Sequence, residues 1–286
     1  MYDTAAVPQR NRRDHILPRG YLEGFTNPST GQLSVFNIEQ RSWFEAGTNS
    51  VAATRGFYDY SPDGTPDETA DETFKEFEEQ FPVLRRELLA GNFSGWTKHA
   101  DFLVRYSQML RARSEFFREE IMKEVQSTTF LKIDEVLETR PSTSRPGETD
   151  LKVNYSEFVP QDDVRRAELF KNLSITKMRA EIKRGAGEFA GWHWCLRLTT
   201  DQTRPLITGD NAVALIGSGP ASRDEAILHP DTIFVFPVCW QACLIGSTRK
   251  FDTETETIHP NMRAELHRLY LNEADCRFVY SPNRLS

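Results

Sequence analysis

Trp192-His-Trp-Cys-Leu-Arg-Leu198 is where the chain changes period: Trp192, Trp194, Leu196 and Leu198 fall on alternate positions, as in a strand with one buried face. The strand signal repeats in Leu206-Ile-Thr208, Ala212-Val-Ala-Leu-Ile216, Thr232 to Val238 and Ala242 to Ile245. Short apolar runs separated by turn residues predict an antiparallel meander. An amphipathic helix over Pro260 to Leu271 and a last strand over Cys276 to Tyr280 follow it.

Upstream the period is helical. Phe74, Phe77, Phe81, Leu84 and Leu88 recur at helical spacing between Glu72 and Leu89, where Pro82 is a candidate kink. A longer helix is predicted over Trp96 to Gln126, with Phe102, Leu103, Tyr106, Met109, Leu110, Phe117 and Ile121 on one face. At 100° per residue Arg113 falls inside that apolar stripe and needs a partner, while Gln108 and Arg111 share the opposite, polar side. A third helix is expected over Gln161 to Arg184, ended by Gly185 and Gly187. Before all of these, the turn cluster Asn27-Pro-Ser-Thr-Gly31 leads into Gln32-Leu-Ser-Val-Phe36, which alternates as a strand, and Arg41 to Glu45 can pair back onto it.

The fold class is therefore α+β: an N-terminal β-hairpin, a helical middle, and a C-terminal antiparallel β-meander with a late helix. Residues 1–14 are polar and aperiodic, a flexible or docking arm, and 15–286 form a single α+β domain. The loop 139–150, with Pro141 and Pro146, is a candidate internal boundary.

A chain of 286 residues with 38% hydrophobic residues can build a real core, and a net charge of -7 argues against coating nucleic acid or an anionic membrane. The four cysteines form no Cys-x-x-Cys pair and sit among apolar residues, as free thiols do in a reducing compartment. Neither a signal peptide nor an apolar run of the ~18 residues a membrane span needs is present, so the expected location is the cytoplasm.

Three polar blocks stand out from this background. In His15-Ile-Leu-Pro-Arg-Gly-Tyr21 a titratable imidazole precedes a rigid turn and an aromatic anchor. His15 reads either as an acid/base or as a structural hydrogen-bonding residue. In Leu206-Ile-Thr-Gly-Asp-Asn-Ala-Val213 an apolar strand is interrupted by Asp210 and Asn211, a pair able to orient a histidine, ligate a metal or simply turn the chain. Gln108 and Arg111, at i and i+3, can reach one anionic ligand; the alternative is a surface face or an ion pair with the acidic segment Glu76 to Glu79. Phosphate-loop, dinucleotide, serine-hydrolase and zinc signatures are absent; no metal-ligand motif is present, and the cofactor is unassigned.

Taken in order, His15-x-x-Pro18-x-x-Tyr21-Leu22-x-x-Phe25, the turn and strand Gly31, Leu33 and Val35, the pair Gln108-x-x-Arg111, the block Ile207-Thr208-x-Asp210-Asn211-x-Val213, the strand Phe236-Pro237 and the closing Leu271-Asn272 to Val279-Tyr280-Ser281 resemble the bacterial family labelled domain of unknown function 4238. Ala212 stands where that family usually carries proline. The resemblance implies no settled activity, but it groups His15, Gln108, Arg111 and Asp210 into one site.

The expected function is a hydrolase of phosphate-containing substrates, a nuclease or nucleotide-processing enzyme. His15, Asp210 and Asn211 are its candidate catalytic residues, and Gln108, Arg111 and Tyr21 its candidate substrate-binding residues. Convergent cations would stabilise developing phosphoryl charge, and the negative total charge restricts the partner to a nucleotide or a specific RNA. The rival expectation is a non-enzymatic binding or sensing module, in which these residues are structural and the acidic loop Ser61 to Asp71 or the basic arm docks a protein partner.

Overall fold

The computed structural model describes residues 13–55, 57, 69–120, 123, 171–173, 175–176, 180, 187, 189–217, 229–272 and 276–285. Residues 1–12 of the expected arm 1–14 and the loop 139–150 lie outside the described residues, while Arg13 and Asp14 already belong to a paired strand; most of the expected helix Gln161 to Arg184 also lies outside, and its described residues 171–173, 175–176 and 180 are helical.

The α+β architecture is present, with strands at both ends and helices between them. The predicted hairpin is β2 (Leu33–Asn37) and β3 (Ser42–Ala46), antiparallel with Val35 opposite Phe44. Ahead of and behind it, β1 (Arg13–His15) pairs antiparallel with β4 (Ala53–Arg55). The C-terminal sheet contains β5 (His193–Leu198), β7 (Ala214–Ile216), β8 (Ile233–Cys239) and β9 (Ala242–Ser247), joined antiparallel in the order β5-β9-β8-β7. A short strand that apolar patterning did not flag, β10 (Thr255–Thr257), adds parallel to β5.

Two predicted strands go elsewhere. β6 (Thr208–Gly209) and β11 (Phe278–Ser281) join the N-terminal hairpin in a four-stranded sheet of order β3-β2-β11-β6. The two ends of the chain thus share one sheet. Alternation along its strands divides the core: Val35 and Tyr280 enter one apolar cluster with the helical middle, while Phe36 and Val279 contact a second that holds Leu266, Leu269 and Tyr270 of the late helix.

That middle begins with α1 (Arg19–Leu22) and α2 (Thr69–Ala90), which starts inside the expected acidic loop and carries Pro82 within it. Gly20 packs directly on Pro82, because a Cβ there would overlap the proline ring. The long predicted helix is divided. A short 3₁₀ turn over Trp96–His99 leads into α3 (Ala100–Ala112); the chain then breaks at Arg113 and Ser114, and residues 115–120 are helical again. Ser114 explains the restart. Its hydroxyl donates to the Arg111 carbonyl (2.8 Å) and accepts from the Phe117 amide (3.1 Å), the geometry of an N-cap. The late helix α4 (Pro260–Asn272) matches expectation.

Arg113 is buried in the stripe and finds its partners in Glu78 and the His15 carbonyl, with the Phe74 ring 4.6 Å away. The other side of α3 departs from its projected polarity: Gln108 and Arg111 are only 4% and 7% exposed, so the second half of α3 is enclosed on both sides, while Asp101 and Arg105 near its start are exposed. Among the described residues, no helix is long and apolar enough to cross a membrane.

Candidate functional site

A cavity of about 310 Å³ lies where β6 ends, β11 begins and the helical residues 115–120 pass. Asp210 and Asn211 leave β6 and line it, Cys276 and Arg277 line it just before β11, and Glu115, Glu119 and Lys123 line it from the helical side. Ile16 and Ser114 complete much of its apolar and small-residue wall.

Asp210 is half-buried and ties the two strands together. Its Oδ1 accepts from the backbone N–H of Arg277 (2.9 Å) and of Phe278 (3.3 Å), and its own N–H donates to the Phe278 carbonyl (3.1 Å). Burial pushes its carboxyl up to about 6; the N–H groups of Phe278 and Arg277 pull the other way, and the charge of Glu115 adds a smaller upward push. A carboxyl of that strength exchanges a proton readily near neutral pH.

The guanidinium of Arg277 spans to the helical side. Nη1 meets Glu115, and Nη2 donates to Glu119 at 2.9 Å. Glu115 has a second tether, because the Thr54 hydroxyl of β4 donates to it at 3.3 Å. Among the described residues, Arg277 and Lys123 are the basic ones that line the cavity.

Of the residues singled out by sequence, the cavity brings together Asp210 and Asn211. His15 ends β1 beside Ile16, itself a wall residue; its backbone carbonyl serves Arg113. Gln108 and Arg111 are enclosed in α3 away from the described cavity lining, and among the described residues Arg111 meets Glu120 (3.8 Å) rather than the Glu76 to Glu79 segment. Glu78 of that segment serves Arg113 instead. Tyr21 has no exposed surface: its hydroxyl donates to the Pro237 carbonyl (2.7 Å) and shares a hydrogen bond with Thr208 (2.8 Å), while its ring stacks on Phe236. It is a pin between α1, β6 and β8.

Glu115, Glu119, Lys123, Cys276 and Arg277 were not anticipated. The signal for three of them was available: Ser114 is an N-cap residue type, and Glu115, Glu119 and Lys123 follow it at successive spacings of four, which places them on one helix face. All four cysteines are free, and Cys276 alone is not buried. Burial pushes the Cys239 thiol up to about 11 and that of Cys243 well above the usual thiol range, so neither is a nucleophile. Among the described residues, no three His, Cys, Asp or Glu side chains are arranged to hold a metal ion.

Neither the curated proteins nor the solved structures compared with the chain contain a match. The family model described as Protein of unknown function (DUF4238) matches residues 13–284, which takes in all the strands described above and every wall of the cavity, and the chain belongs to that family.

Proposed function

We propose that the protein is a cytoplasmic hydrolase acting on a phosphate-containing substrate, with the Asp210 cavity as its reacting centre. The observation that carries this reading is Asp210 itself, a carboxyl raised to about 6 on the wall of a polar cavity. In this scheme Asp210 takes a proton from the attacking water as its oxygen bonds to phosphorus, and the leaving oxygen departs with a proton returned by the same carboxyl. Asn211 borders the reacting groups, and His15 at the end of β1 is the second proton-transfer candidate. The anion-holding role passes from Gln108 and Arg111 to Arg277, whose planar fork lines the cavity.

A second reading is favoured by a different feature of the same residue. Because the Asp210 carboxylate already accepts N–H bonds from Arg277 and Phe278, it can serve solely to join β6 to β11, in a binding or sensing module without turnover. Incubation with phosphomonoesters, nucleotides, RNA and DNA, with and without divalent metal, separates the two. Hydrolysis that is lost in folded Asp210→Asn supports the enzyme. A wild-type protein inert towards every substrate, or an Asp210→Asn variant of undiminished activity, rejects it.

A further inference from the structure

The two carboxylates on Arg277 are not equivalent. Glu115 is 30% exposed in its side chain and is held a second time by Thr54, whereas Glu119 is 52% exposed with Arg277 as its ion-pair partner. Lys123, four residues beyond Glu119 and also helical, lines the same cavity. On a helical face a glutamate pairs favourably with a lysine four positions later. At that spacing Lys123 is a second candidate cation for Glu119, and leaving the first costs it little, since an exposed ion pair changes an equilibrium by no more than a few-fold.

We propose that Glu119 is a displaceable stand-in for substrate: an entering phosphate group takes the Nη2 edge of Arg277, and the released carboxylate passes to Lys123. This exchange rests on the phosphate-directed reading of the cavity and adds a gate to it. Glu115, anchored by Thr54, keeps the guanidinium at the cavity wall while its other edge changes partner. The carboxylate also screens the site, because a neutral or cationic ligand has nothing to offer Arg277 in place of Glu119. A dianionic phosphate presents several oxygens to the planar fork and competes well.

The test is titration of inorganic phosphate by calorimetry, at fixed ionic strength, into wild type and variants. Glu119→Gln is expected to bind phosphate about two- to fivefold more tightly than wild type, the worth of the competing ion pair. Arg277→Gln is expected to lose about tenfold or more, and Glu87→Gln, an exposed acid on α2, to change nothing. Lys123→Ala is expected to weaken binding in wild type but not in the Glu119→Gln background, because only the released carboxylate needs the lysine. Unchanged or weaker binding by Glu119→Gln, or full binding by Arg277→Gln, overturns the exchange. Phosphate binding that follows the expected order without turnover of any ester would reject the hydrolase and leave the exchange standing. Hydrolysis of esters by a protein blind to phosphate would do the reverse.

Discussion

Asp210→Asn is expected to make the protein more stable at neutral pH while strongly lowering the proposed hydrolysis. The folded protein holds the Asp210 proton at about 6, against an ordinary 3.8. It therefore binds that proton more tightly than the unfolded chain does, so the contribution of this group to stability is full below the ordinary value and is lost as pH rises through about 6. A shift of that size corresponds to at most about 3 kcal/mol at ~1.4 kcal/mol per pH unit, and the partial exposure of Asp210 reduces it to on the order of 1–2 kcal/mol. Asparagine keeps one oxygen to accept from the Arg277 and Phe278 amides but carries no charge to desolvate. Urea denaturation of wild type and variant at several pH values between about 4 and 8 measures the difference directly, and the other acids cancel in the comparison. The variant should match wild type near the acid end and exceed it by ~1–2 kcal/mol at neutral pH, with hydrolysis reduced by about a hundredfold or more. A stability difference independent of pH, or one that favours wild type at neutral pH, refutes the reasoning.

Thiol labelling of the native protein should modify Cys276 alone, with Cys195, Cys239 and Cys243 reacting only after unfolding; two fast-reacting thiols in the native state would contradict the burial described above. Gly20→Ala should cost about 1–3 kcal/mol by pressing a methyl group into Pro82, and Pro82→Ala in the same chain should recover most of it, so additive effects in the double variant would show that the contact is not the cause. Arg113→Ala should destabilise by ~3–5 kcal/mol as a buried charge pair is broken, with Glu78→Gln costing less because Glu78 is partly exposed; a loss below about 1 kcal/mol for Arg113→Ala would rule out the buried network as a stabilising feature.

Local patterning was enough for the longer apolar elements. The alternation of Trp192 to Leu198 and the helical recurrence of Phe74 to Leu88 reflect the face each segment buries, and that face is written into consecutive residues. Pairing partners are not written locally. β6 lies among the C-terminal strands in sequence yet pairs with β11 in the sheet begun by the N-terminal hairpin, a choice made by long-range packing of both apolar clusters. β10, Thr-Glu-Thr at a sheet edge, has no apolar alternation to betray it. The same division runs through the site. Asp210 and Asn211 stood out because they interrupt an apolar run, whereas Glu115, Glu119 and Arg277 look like ordinary surface charges until the fold brings them together. Helical projection separated Arg113 from Gln108 and Arg111 correctly but could not say what would cover the second side of α3.

The pairing of β2 with β11 has a consequence for how the molecule is made. On the ribosome the hairpin emerges long before β11 (Phe278–Ser281), so at roughly 5–20 residues per second β2 waits on the order of ten seconds or more with one ladder unfilled. During that wait Leu33 and Val35, fully covered in the finished protein, sit beside an open hydrogen-bonding edge, the feature that nascent-chain holdases shield and that self-association exploits.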